Sequence, residues 1–146
     1  METLKINLWT IEFDYAATKF AYSKMLQGDP ERCGCAYCKN FILARQKVYP
    51  KEFLNVLTRI GIDSHKEAEV AEFGEIKPGM HSYCGWFHFV GRILKRPKED
   101  DYLSKSEDFS WSFTPQRICL PDAFNKEMPI AQVDFLANVP WLLKEK

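Results

Sequence analysis

Three cysteines within six residues, Cys33-x-Cys35-x-x-Cys38, form the densest run of chemistry-bearing side chains in the sequence. Thiolates are preferred soft ligands for Zn²⁺, and a structural zinc site takes four donors in a tetrahedron. A loop turns three thiols inward at this spacing, and Gly34 eases the backbone angles such a loop needs. The fourth donor must come from elsewhere, with Cys84, Cys119, His65, His81 and His88 as candidates. Alternation along a strand puts His81 and Cys84 on opposite faces, whereas Cys84, Trp86 and His88 share one. Cys84 and His88 would stand roughly 13 Å apart at a rise of about 3.3 Å per residue, so this strand supplies one donor at most. The expected zinc set is Cys33, Cys35, Cys38 and Cys84.

The same run supports a second chemistry. Cys35-x-x-Cys38 before a helix is a dithiol spacing, and a thiol at a helix N-terminus carries more thiolate. Thioredoxin-like proteins place that motif after a strand, whereas a Gly28-Asp29-Pro30-Glu31-Arg32 loop precedes it here. A third reading treats the thiols as small packing residues.

Other constellations are weaker. A pocket between sheet and helices lined by Trp86, His88 and Trp111 is an alternative binding site, since Trp is enriched at contacts. Glu12 and Asp14 read as a strand-end charge and a helix cap, and Asp63-Ser64-His65 as a cap and loop, because triad members converge from different segments. Arg92, Lys95, Arg96 and Lys98 form a basic stretch that Glu99-Asp100-Asp101 cancels locally. No phosphate loop, nucleophile elbow or zinc-protease helix motif is present.

The elements that must position these residues follow from periodicity. Leu4 to Asp14 reads as one strand, either covered on both faces or bulged near Leu8-Trp9. Asp14 caps a helix over Ala16 to Leu26, ended by Gly28-Asp29-Pro30. A short helix starts near Cys38. Pro50 opens a helix with Phe53, Val56, Leu57 and Ile60 on one stripe and Gly61 as its stop. Ser64 with Glu67 has capping-box spacing, but a loop and a short strand near Glu69 to Phe73 fit better. Lys77-Pro78-Gly79-Met80 is a turn. His81 to Lys95 is the strongest strand, with Gly85 and Gly91 as close-approach points. Arg96 to Lys105 reads as a charged loop. Phe109, Trp111 and Phe113 alternate with polar residues as a half-buried strand, and Ile130 to Ala137 is the last strand. Pro140-Trp141-Leu142-Leu143 packs as a tail. Helices early and strands late mean α+β: a single domain over 1–146, with an antiparallel sheet of about five strands and two or three helices on one face.

Composition narrows the function. The 146 residues carry 20 basic and 20 acidic side chains, and neither half is biased, which argues against nucleic acid or an anionic membrane surface as partner. No apolar run reaches membrane-spanning length, and the Met1-Glu2-Thr3-Leu4 start shows no secretory pattern. Five cysteines, an odd number, argue against a disulfide framework and for reduced thiols in a cytoplasm.

The Cys33-x-Cys35-x-x-Cys38-x-Asn40-Phe41 run, the Gly61-Ile62-Asp63 turn and Gly85-Trp86-Phe87-His88-Phe89-Val90-Gly91 resemble a set of small uncharacterised bacterial proteins to which no activity is assigned. The resemblance spans most of the chain and implies a bacterial, single-domain, cytoplasmic protein. The expected function is therefore a non-enzymatic binding protein with a cysteine-rich zinc site and another protein as partner. A dithiol enzyme and a small-molecule pocket are the alternatives.

Overall fold

The computed structural model describes residues 1–98 and 103–144. The first expected strand is two: β1 (Glu2–Ile6) and β2 (Trp9–Phe13) pair as a hairpin in which Ile6 faces Trp9. Asn7, with φ 51°, supplies the left-handed turn residue, and Asn tolerates that region better than most side chains. Both faces of 4–14 look apolar because the chain reverses within it.

Four helices follow. Asp14 caps α1 (Tyr15–Lys24), its Oδ1 accepting from the Ala17 N–H at 2.9 Å. The expected Gly28-Asp29-Pro30 loop instead starts a one-turn helix, α2 (Asp29–Cys33), with Pro30 in its first turn. Helix α3 (Ala36–Val48) begins two residues before Cys38, and α4 (Lys51–Ile60) ends on Gly61 at φ 101°. Position 61 needs glycine for a packing reason as well: a Cβ there would stand 2.9 Å from the Tyr15 carbonyl oxygen.

The fold is α+β, with seven antiparallel strands among the described residues. Its axis is β4 (Met80–Lys95), which pairs along one edge with β7 (Ile130–Pro140). Along the other edge it pairs first with β3 (Glu69–Lys77) and then with β2. Between those partners α1 completes the ladder. The Tyr22 hydroxyl donates to the His88 carbonyl and accepts the His88 N–H, Thr18 Oγ1 accepts the Val90 N–H, and the Asp14 N–H donates to the Val90 carbonyl. Beyond β7 lie β6 (Phe109–Thr114) and β5 (Leu103–Ser106). The expected Arg96–Lys105 loop thus ends in strand; its acidic residues Glu99, Asp100 and Asp101 lie outside the described residues.

One sheet face carries Tyr83, Phe87, Phe89, Val133, Phe135, Phe109 and Trp111, all buried against Phe41, Tyr49 and Phe53 of the α3–α4 region. Phe53 touches Phe109 at a centroid distance of 4.9 Å and Trp111 at 5.2 Å, so truncating it to Ala would cost about 3–5 kcal/mol. Gly85 keeps this face flat: a Cβ there would lie 2.5 Å from Phe135 Cζ. The opposite face carries Cys84, Trp86, His88, Gln132 and Asp134, partly roofed by the segment that holds Ile118 and Phe124. No helix among the described residues is long and apolar enough to cross a membrane.

Candidate metal centre

Two helix ends bring the three thiols together. Asp29 ties α2 to the start of β3, its N–H donating to the Glu67 carbonyl and its Oδ2 accepting the Val70 N–H. Gly34, at φ 72°, then reverses the chain with a Cβ-free left-handed residue, which turns Cys33 back toward the next helix. Cys35 is the N-cap of α3, and its Sγ accepts from the Cys38 N–H at 3.4 Å. One turn along, Cys38 is drawn inward by the stripe Phe41, Ala44 and Val48, which packs into the core. The Sγ atoms of Cys33, Cys35 and Cys38 all lie within 4.8 Å of one another. Thiolate sulfurs at about 2.3 Å from a Zn²⁺ ion reach such a separation with little adjustment.

The three thiols differ in character. Cys33 and Cys35 are exposed and Cys38 is buried. The Cys38 N–H, aided by the Cys33 and Cys38 thiols, holds Cys35 below the ordinary thiol range. Burial pushes Cys38 up, and its two thiol neighbours push it further. The cluster therefore holds a ready thiolate beside a thiol that a positive charge would have to deprotonate.

The expected fourth ligand is not brought to them. Cys84 pairs in register with Ala71 and Leu136 on the sheet face opposite Tyr83, whose ring packs on Phe41 and whose hydroxyl donates to the Tyr37 carbonyl. Strand alternation, the same rule that separates Cys84 from His81, places it across the sheet from the helix bearing Cys38. Burial, with the Asp134 and Glu69 carboxylates, pushes the Cys84 thiol up. Cys119 has its Sγ 3.8 Å from Glu69, and His65 lies beside Asp63. His81 does face the helices, but its Nδ1 sits 2.6 Å from Glu72 Oε2. Among the described residues the cluster has three donors.

The expected pocket of Trp86, His88 and Trp111 is likewise divided by the sheet. Trp111 lies opposite Phe135 on the helix-covered face, whereas Trp86 and His88 lie opposite Asp134 and Gln132 on the other. Trp86 Nε1 donates to the Ile118 carbonyl. His88 is fully buried, and Gln132 Oε1 accepts from both its Nε2 and the Ile118 N–H. Burial depresses the imidazole to about 4, against the hydrogen bond to Gln132 that favours its charged form. His88 is a neutral structural group.

Two clusters have no counterpart in the sequence reading. Arg45 lies in α3, its guanidinium bonded to Glu67 through Nε (3.1 Å) and Nη2 (2.8 Å), and to Glu31 through Nη1 (2.8 Å). The Tyr49 hydroxyl donates to Glu67 at 2.6 Å. The spacing Phe41, Arg45, Val48 already put this arginine on an apolar stripe. The other cluster, Tyr37, His81 and Trp141, joins residues from α3, β4 and the tail that no local pattern connects. No family model, curated protein or solved structure matches the chain.

Proposed function

We propose that this is a metal-holding binding protein in which Cys33, Cys35 and Cys38 ligate a zinc ion. The observation that carries the reading is the convergence of three sulfurs within 4.8 Å at a helix N-terminus. Three sulfurs make a soft donor set, which suits Zn²⁺ rather than Mg²⁺ or Ca²⁺. With three protein ligands, the fourth position belongs to solvent or to a donor carried by a partner protein. A reducing cytoplasm fits free thiols in this role. Balanced charge favours a protein partner over nucleic acid.

Titration with Cd²⁺ or Co²⁺, followed through sulfur-to-metal charge-transfer absorption, tests this. One ion per chain is expected, with the band lost in Cys33→Ser, Cys35→Ser and Cys38→Ser and kept in Cys84→Ser. A chain without thiolate-metal absorption, or a band that survives the Cys35→Ser change, would reject the site.

A second reading is favoured by the asymmetry of Cys35 and Cys38. An exposed thiol of lowered pKa at an N-cap, one turn before a buried thiol of raised pKa, suits thiol–disulfide exchange. In that step the Cys35 thiolate attacks a substrate disulfide and forms a mixed disulfide. Cys38 then displaces the substrate, leaving a Cys35–Cys38 disulfide and a substrate carrying two more electrons and two more protons. This reading predicts a reversible two-electron potential in metal-free protein that Cys38→Ser abolishes.

A further inference from the structure

The tail after β7 is fixed by one buried side chain. Asn40 Nδ2 donates to the Pro140 carbonyl, and Asn40 Oδ1 accepts from the N–H groups of Leu142 (2.6 Å) and Leu143 (3.0 Å). The Trp141 N–H donates to the Gly79 carbonyl at 2.9 Å. Trp141 is thereby held against His81 (centroids 4.7 Å, planes at 37°) and Tyr37 (5.9 Å, 73°). Tyr37 and His81 are 6.4 Å apart at 51°. Three mutually inclined rings, with Ala36, Glu75 and Gly79, line a cavity of about 530 Å³. That volume is within the range of ordinary small-ligand sites.

Apart from the imidazole of His81, the ionisable side chain on this cavity's wall is a carboxylate. Glu75 is half exposed on its wall, and its Oε2, fixed by the Gly79 N–H at 3.2 Å, stands 3.8 Å from His81 Nε2. Glu72 lies behind the imidazole, 2.6 Å from Nδ1. No lysine or arginine is among the lining residues. Aromatic faces attract cations through their quadrupole, and they select those with weakly held hydration shells. A trimethylammonium group has such a shell and offers no N–H that would need an acceptor. We infer that the Tyr37–His81–Trp141 cavity binds an alkylated ammonium group, with Glu75 balancing its charge. The group is carried either by a free small molecule or by a methylated lysine side chain.

Calorimetric titration of the full chain with choline, with a trimethyl-lysine peptide and with 3,3-dimethyl-1-butanol tests the inference. The butanol is the neutral isostere of choline and separates charge from apolar burial. At least one cation is expected to bind, and the isostere about tenfold more weakly or not at all. Choline alone would identify a free metabolite; a tighter peptide would identify a protein side chain. Tyr37→Ala should weaken the cation about tenfold. That variant leaves in place the Tyr37 carbonyl that accepts from the Tyr83 hydroxyl, and an unchanged circular dichroism spectrum is its control for folding. Glu75→Gln should weaken the cation severalfold and leave the isostere unchanged. Equal affinity for cation and isostere would overturn the inference, as would the lack of cation binding at millimolar concentration.

Discussion

Helix α3 carries a polar cluster at each end, and the two are built on opposite terms. At its C-terminal end Arg45, Glu67, Tyr49 and Glu31 match donor to acceptor almost completely, with Glu67 and Arg45 buried. At its N-terminal end Cys33 and Cys35 are exposed, and three sulfurs face one another with a weak internal hydrogen bond. The saturated cluster has nothing left to offer a ligand, so its role is to hold α3, α2 and the approach to β3 in register. The thiol cluster has coordinating capacity in excess of what its own fold uses. Unused capacity, rather than polarity or charge, separates the candidate site from the structural one.

The electrostatics follow the same division. Burial pushes Glu67 above the ordinary carboxylate range against the pull of Arg45 and Tyr49. Burial also works against Glu31, but the hydrogen bond and charge of Arg45 outweigh it and hold Glu31 low. In the thiol cluster the charge on Cys35 is favoured by a helix N–H rather than by a counter-ion.

The comparison is broken most forcefully at Arg45. Arg45→Met leaves the buried Glu67 carboxylate without its counter-ion, and should lower the unfolding free energy by about 3–5 kcal/mol in urea titration. A loss under about 1 kcal/mol would mean that this end of α3 is as dispensable as the other.

His88 extends the saturated class to the opposite sheet face and gives it a pH signature. Its folded pKa of about 4 lies below the ordinary 6.5, so the folded state binds fewer protons between those values. The stability due to neutral His88 is complete above pH 6.5 and is lost as pH falls toward 4, by about 3 kcal/mol. Glu67, raised by burial, acts with the opposite sign. The difference between wild type and His88→Gln therefore isolates the histidine. Parallel stability curves for the two proteins from pH 7 to pH 4 would remove it from the account.

Within the thiol cluster the comparison sharpens. In metal-free protein near neutral pH, Cys35 should be alkylated about tenfold faster than Cys38, as read by peptide mass mapping. Equal rates would erase the asymmetry on which the exchange reading rests. The smallest effect belongs to Cys33→Ser with Cys35→Ser. Both side chains are exposed, and serine is itself a good N-cap, so metal-free stability should change by no more than about 0.5 kcal/mol.

How much of this was legible in the sequence depends on the range of the interactions. The half-buried strand Phe109–Phe113, the Asp14 cap and the Pro50-to-Gly61 helix are local patterns, and each forms. The hairpin at Asn7-Leu8 was hidden because two apolar faces in a single run imitate one strand covered on both sides. The cysteine triad was legible for the same local reason, since six residues and one glycine suffice to close it. The fourth ligand was not. Alternation excluded a joint role for His81 and Cys84, but which of their faces meets α3 is decided by the packing of Tyr83 on Phe41. The pocket of Trp86, His88 and Trp111 failed on the same point, because the register between β4, β7 and β6 assigns Trp111 to the other face. Glu67 had the spacing of a capping-box residue, and only the fold reveals that it answers Arg45 instead.

The central claim is that three sulfurs act as one ligand set. Native mass spectrometry of the chain with stoichiometric Zn²⁺ measures both the ion and the protons it displaces. The account predicts one zinc per chain with two or three protons lost, and no such adduct when Cys33, Cys35 and Cys38 are all serine. The same adduct in the serine variant, or zinc bound without loss of thiol protons, would contradict it.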